Sequence, residues 1–270
     1  MADKYFKDKV VIITGARQGI GKTLAVILAS AGSKLVINSR NADKLASLKN
    51  YFSEKGCDVT DVPGDISDEE VCKRIAGTAI SRFGRIDILI NNAGIAGAGT
   101  VELAESMVFR KQIEVNLLGS YYMTKWALPH IKAASGSIIF VSSLAGLFGL
   151  PSYSGYSASK MALTSLAQSI KSEFHGQNVH VGVAYVGFTE NDPAKEQYTP
   201  KGELAPLPYR KVRRVSPERT ASLILNQIRR RKFRSVHSAL GKAEFIVSMF
   251  FPGLIEMILR KTGTGERNES

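Results

Sequence analysis

From residue 10 onward, short apolar runs alternate with stretches of helical period. Val10 to Ile13, Leu35 to Ile37, Val59 to Val62, Ile86 to Ile90, Ser137 to Val141 and Val179 to Tyr185 read as strands. Ile20 to Ala31, Ala42 to Glu54, Asp68 to Phe83 and Ser157 to Phe174 read as helices, and Ser106 to Ala133 as two helices meeting near Asn116. Asp68, Glu69 and Glu70 place acid at one helix start, and Gly84 marks that helix's end. A β-branched run such as Val10 to Ile13 suits a parallel strand covered on both faces. Right-handed crossovers between such strands give a doubly wound parallel sheet, a three-layer α/β/α sandwich. No linker or internal repeat interrupts the 270 residues, so one such domain is expected. Residues 187–215, with four prolines, read as an irregular substrate lobe, and residues 216–261 as a basic, amphipathic C-terminal segment.

Two cysteines, Cys57 and Cys72, exclude a disulfide-stapled fold, and four scattered histidines at no ligand spacing argue against a metal site. The first residues hold no apolar stretch of signal-peptide length, so a cytoplasmic location is expected. The net charge of +12 is uneven. Residues 201–234 hold 11 basic and 2 acidic side chains, three quarters of the surplus. Residues 243–259 contain 12 apolar positions of 17, interrupted by Pro252-Gly253 and carrying Glu244 and Glu256. A membrane-crossing helix needs about 20 mostly apolar residues. Residues 201–261 are therefore a candidate for peripheral contact with an anionic membrane, or for docking on a partner. No stacking platform accompanies the charge, so nucleic acid is not expected as a partner.

The first strand runs into Thr14-Gly15-Ala16-Arg17-Gln18-Gly19-Ile20-Gly21, which opens the first helix. Glycines serve where backbone must approach a pyrophosphate, and a helix N-terminus offers free N–H groups to phosphate. An ordinary strand-to-helix turn is the plain alternative. The spacing Gly-x-x-x-Gly-x-Gly, together with Asn91-Asn92-Ala93-Gly94 after the fourth strand, resembles the short-chain dehydrogenase/reductase family, over roughly residues 8–190. The resemblance implies a Rossmann fold, a nicotinamide cofactor and a homodimer or homotetramer. It places the cofactor on Gly15, Arg17, Gln18, Gly19, Ile20, Gly21, Ser39, Asn92, Ala93 and Gly94, with Asp65 and Ile66 at the adenine. The second strand ends in Asn38-Ser39-Arg40, without the acid that holds a ribose 2′-OH. Arg40, flanked by Arg17, suits a 2′-phosphate, so NADP(H) is expected over NAD(H).

The family's base is a Tyr followed four residues later by a Lys, neighbours on one helical face. That spacing occurs four times: Tyr5/Lys9, Tyr51/Lys55, Tyr121/Lys125 and Tyr156/Lys160. Only Tyr156 and Lys160 follow a strand-end serine at the family's distance, Ser143, 13 residues upstream. The resemblance assigns Ser143 and Tyr156 to the substrate oxygen, and Tyr156 and Lys160 also to the cofactor, Lys160 at the nicotinamide ribose. It assigns a relay water to Asn116, whose plain alternative is a polar residue at a kink. The Lys160 ammonium is expected to lower the Tyr156 pKa. Gly187 and Thr189 are expected at the cofactor's carboxamide, although Val186 and Asn191 stand where the family has Pro and Thr. The apolar run Leu144 to Pro151 is expected to wall a lipophilic substrate. That run and residues 243–259 resemble the branch of 3-ketodihydrosphingosine reductases and steroid dehydrogenases. The expected activity is reversible hydride transfer between a carbonyl and a secondary alcohol. A non-catalytic NADP-binding sensor is the alternative.

Overall fold

Seven parallel strands form one sheet in the order β3-β2-β1-β4-β5-β6-β9. The computed structural model describes residues 4–190, 195–208 and 214–263. Asn191, Pro193 and part of the basic stretch (Arg210, Lys211 and Arg213) lie outside the described residues. The first half alternates β1 (Val10–Ile13), α1 (Gly19–Ser30), β2 (Lys34–Ser39), α2 (Ala42–Glu54), β3 (Val59–Pro63), α3 (Glu69–Phe83) and β4 (Ile88–Asn91). Then follow α4 (Ser106–Gln112), α5 (Gly119–Ala133), β5 (Ser137–Ser143), α6 (Ser154–Glu173) and β6 (His180–Val186).

Strand side chains alternate between two cores. Val11, Ile13, Ile139, Val141 and Ala184 pack with Leu24 and Leu28 of α1 and Leu45 and Phe52 of α2. Val10, Ile12, Ile138, Phe140 and Val183 pack with α3, α5 and α6 through Ile75, Met123 and Leu163. Every residue of β1 and β4 is buried, as a strand covered on both faces requires. Local chemistry sets the helix ends. The Asp68 carboxylate accepts from Glu70 N at the start of α3, and Gly84 closes that helix at φ +76°.

Three regions differ from the sequence expectation. Residues 106–133 are one helical run, in which Ile113–Leu118 takes a wider π turn between α4 and α5. The expected irregular lobe holds a short antiparallel hairpin, β7 (Glu196–Tyr198) with β8 (Leu204–Pro206). The C-terminal segment is partly integral to the sheet. Ala221, Ile224, Leu225 and Ile228 of α7 (Pro217–Arg229) complete the core beside α1. β9 (Arg234–Val236) then pairs with β6 as the seventh strand. Gln227 Nε2 fastens this corner by donating to the carbonyls of Val183, Lys232 and Phe233. Arg231 donates to the carbonyls of Ser135 and Asn178. Part of the basic run is thus spent on joining loops.

His180, at the start of β6, lies 3.1 Å from Ser137 Oγ and 3.1 Å from the Lys232 carbonyl. His237 follows β9 with both ring nitrogens buried and without a partner among the described residues. Burial lowers both histidines to about 4. The unfolded chain takes up these protons near pH 6.5 and the native state does not, so stability is lost as pH falls from about 6.5 to about 4. The urea midpoint is expected to fall between pH 7 and pH 4.5, less steeply in His237→Phe. Equal slopes in the two proteins would contradict this account of His237.

The last described elements are α8 (Ala239–Phe250) and α9 (Pro252–Gly263), along which Ile246, Phe250, Phe251, Leu254 and Met257 are exposed. No described helix is long and apolar enough to cross a membrane.

Candidate active site

The carboxyl ends of β1, β2, β4, β5 and β6 open into one cleft of about 470 Å³. Parallel strands bring their carboxyl ends to one edge, where a doubly wound sheet holds ligands. All the sequence-predicted site residues line this cleft except Asn116.

The turn between β1 and α1 is held from the opposite strand. Thr14 Oγ1 accepts from the backbone N of Asn92 and of Ala93, at 3.1 and 3.0 Å. Asn92 Nδ2 donates to the carbonyls of Thr14 and Gly15, at 2.9 and 3.1 Å. The Asn92 amide therefore braces the glycine turn, and its donor is spent on backbone. Gly15 sits at φ +66°, with a Cβ there falling 2.8 Å from Ala93 Cα. A Cβ on Gly21 would meet the Gly15 carbonyl oxygen at 2.3 Å. Gln18, preceding α1, makes no side-chain cap, so the first N–H groups of the helix face the cleft.

At the end of β2, Ser39 Oγ is buried without a partner among the described residues. Arg40 extends beside it and lies 3.8 Å from Asp65, both partly exposed. The expected phosphate-binding Arg40 thus forms only a long, solvent-screened pair with Asp65. Asp65 Oδ1 also accepts from Ser67 N and Oγ. The uncapped helix start, the glycine cradle and the orphan Ser39 hydroxyl together fit a phosphorylated dinucleotide lying along this half of the cleft.

β5 and α6 supply the other half. Ser143 ends β5, in register with Val186 of β6. The neighbouring Ser142 hydroxyl turns away and donates to the Lys160 carbonyl at 2.9 Å. Tyr156 and Lys160 share one face of α6, with Lys160 Nζ 5.9 Å from the Tyr156 ring centre and donating to the Val141 carbonyl at 2.9 Å. Burial, then the nearby Lys195 charge, lowers Lys160 to about 8. Tyr156 moves opposite to expectation. Desolvation in the cleft raises its phenol pKa, against a smaller opposing effect of the Ser143 hydrogen bond.

Asn116 lies in the π turn behind the cleft, fully buried. Its Oδ1 accepts from Ile95 N, and its Nδ2 donates to the Ile95 carbonyl and to Ser159 Oγ. A Cβ on Gly94 would lie 3.1 Å from Lys160 Nζ and 3.2 Å from Asn116 Oδ1, so Asn116 and Lys160 pack against the same glycine. The other three Tyr–Lys pairs lie outside the cleft, and Tyr51 and Tyr121 are exposed.

After β6, Phe188 to Glu190 is pinned to Val215, which bonds back to the Phe188 carbonyl and accepts from Glu190 N. Gly187 and Thr189 thereby line the cleft. Val186 extends β6 by its last ladder residue. The run Leu144 to Pro151 corrects another expectation, because it does not line the cleft. Leu144 and Leu147 pack against the core, and Leu144 sits under Gly241 of α8. Thr14, Asn38, Gly64, Glu190, Lys195 and Glu196 belong to the site or its support and were not singled out from the sequence. Thr14 precedes the glycine turn and could have been found there; Lys195 and Glu196 lie in the proline-rich stretch, which carries no periodic signal. Among the described residues no group of three or more His, Cys, Asp or Glu is placed to hold a metal.

Residues 9–201 match the short chain dehydrogenase family. A protein of Arabidopsis thaliana described as 11-beta-hydroxysteroid dehydrogenase 1A is 33% identical over 269 residues, spanning 95% of this chain and 77% of its own length. Two solved structures share the fold. A short chain dehydrogenase/reductase from Burkholderia phymatum in complex with NAD superposes with a TM-score of 0.79 at 23% identity, over 93% of this chain and 95% of its own. An alcohol dehydrogenase from Thermococcus sibiricus complexed with 5-hydroxy-NADP gives a TM-score of 0.74 at 24% identity, over 85% and 96%.

Proposed function

Because the chain belongs to the short chain dehydrogenase family and is an NAD(P)-dependent oxidoreductase of hydroxyl and carbonyl groups, we propose that it interconverts a lipophilic ketone and its secondary alcohol with NADP(H). The observation that carries this reading is the meeting of Ser143, Tyr156 and Lys160 at the end of the cleft opposite Ser39 and Arg40. The cofactor, when bound, supplies or accepts the hydride. The protein's own groups handle the oxygen and its proton. Ser143 and Tyr156 hydrogen-bond the carbonyl oxygen, and desolvation keeps the Tyr156 phenol protonated, ready to donate. Lys160, against Asn116 and Gly94, leads the proton supply inward.

The NADP(H) preference rests on Arg40 and Arg17, with no acid at the end of β2. A 2′-phosphate would offer Arg40 a stronger, charge-assisted partner than its long, solvent-screened pair with Asp65. Arg40→Ala is expected to raise the KM for NADPH about tenfold or more, the size of one charge-assisted contact, and to leave NADH little changed. A cofactor-oxidation assay across ketones of graded chain length tests the whole reading. Preference for NADH in the wild type contradicts the arginine assignment, and turnover of short polar ketones alone contradicts the lipophilic one. A steroid dehydrogenase among the relatives supports the lipophilic class. The exposed apolar side chains of α8 and α9, near the basic corner, support peripheral contact with an anionic membrane. Exposed Phe109, Leu118, Tyr121 and Met161 on α4 to α6 support self-association.

A further inference from the structure

We propose that Lys195 is a substrate-specificity residue, taking an anionic group such as a carboxylate carried on the lipophilic carbonyl compound. The proposal rests on the oxidoreductase reading above and narrows its substrate class.

Lys195 is held in place by a built corner. The β7 strand that follows it is tied to the loop after β4, with Tyr198 N donating to the Ala96 carbonyl at 2.9 Å and Ala98 N to the Tyr198 carbonyl at 3.0 Å. Leu207 N reaches the Lys195 carbonyl itself at 3.3 Å. This fixes Lys195 on the wall of the cleft that also holds Ser143, Tyr156 and Lys160, near enough to Lys160 for the two charges to act on each other. The residue is exposed by area, yet the cleft walls crowd its charged end and lower its pKa. Its charge reaches Lys160 and helps lower that pKa too. Glu190 and Glu196 also line the cleft, but neither forms an ion pair with Lys195 among the described residues. Two ammonium groups thus line one cleft, neither of them ion-paired among the described residues, and crowding like charges out of water disfavours both charged forms.

An anion placed there relieves both. The phosphates of a dinucleotide already have hosts elsewhere, at the uncapped start of α1, Arg17 and Arg40. The charge that Lys195 awaits is therefore left to the substrate. Its reactive carbonyl lies at Ser143 and Tyr156, and its acid group lies toward β7.

The test compares Lys195→Met and Lys195→Arg with the wild type on a medium-chain keto acid and its methyl ester, with the NADPH Kd measured separately by fluorescence. The wild type is expected to prefer the acid. Lys195→Met is expected to raise the KM for the acid tenfold or more relative to that for the ester, with the NADPH Kd within about twofold, and Lys195→Arg to restore the preference. An unchanged acid-to-ester ratio in Lys195→Met overturns the proposal. A tenfold weaker NADPH Kd with an unchanged ratio also overturns it, by giving the lysine to the cofactor's phosphates. If the wild type turns over neither compound while binding NADPH, the oxidoreductase reading fails instead. Calorimetric binding of the keto acid to the NADPH complex, with and without Lys195, then still decides the role of this lysine.

Discussion

Tyr156→Phe is expected to lower kcat by about 10²- to 10⁴-fold, the usual contribution of a positioned proton donor, while NADPH affinity stays within about twofold. The substitution removes one oxygen from a side chain held by the rigid α6 helix, and the ring keeps its packing. Its partner in the hydrogen bond, Ser143, can turn its hydroxyl to solvent while its oxygen still accepts from Ala145 N at 3.2 Å. Folding is therefore unaffected, and the loss falls on chemistry. The raised phenol pKa gives the direction with pH. A phenol that holds its proton at neutral pH is expected to serve there as the donor in reduction. Lys160, lowered to about 8, begins to lose its own proton near that pH, and the reductive rate is expected to decline as pH rises through it. Stopped-flow measurement of NADPH oxidation from pH 6 to pH 10 checks both statements. Unaltered turnover in Tyr156→Phe would favour the non-catalytic alternative.

Gly21→Ala carries the second large effect. Its Cβ would stand 2.3 Å from the Gly15 carbonyl oxygen and 2.5 Å from Asn92 Nδ2. Neither neighbour is the free end of a flexible chain, because Asn92 Nδ2 is bonded to that same carbonyl. Either α1 withdraws from the turn, or the Asn92 brace breaks. Both moves take the helix's free N–H groups away from the phosphates. Nucleotide affinity is expected to fall about 100-fold or more, equivalent to roughly 2.7 kcal/mol. Overpacking adds a stability loss of about 1–3 kcal/mol. Gly19→Ala is the control. It has open space around its Cβ, and its φ of +52° adds only local strain. It is expected to bind nucleotide within a few fold of wild type. Calorimetry on the three proteins reads the contrast, and equal losses at the two positions would show that the close approach at Gly21 is not what matters.

The parts of this molecule visible in the sequence are those whose physics is local. β1 with its four buried residues, α2 with its cap and α3 ending at Gly84 appear where the periodicity and the punctuation put them. The residues of the cleft were legible because strand ends, glycines and the Tyr156–Lys160 pair follow each other in a fixed order along the chain. What was hidden depends on distant partners. Arg234-Ser235-Val236 has no apolar run and becomes a strand only because the edge of β6 is open to it. The Tyr156 pKa was misjudged because a spacing of four residues says nothing of how deeply the fold buries the phenol, and it is desolvation that raises it. The π turn at Ile113–Leu118 follows the bonds that Asn116 makes to Ile95 and Ser159, which no window of sequence contains.

The late arrival of β9 bears on how the chain is made. Everything through β6 has left the ribosome before residues 234–236 emerge, and in that interval the outer edge of β6 is unpaired beside a bare apolar patch awaiting α7. Such a half-finished edge is a template for sticking to other nascent chains. Truncations ending before Arg234 are expected to collect in inclusion bodies, even though every residue of the cleft is present in them.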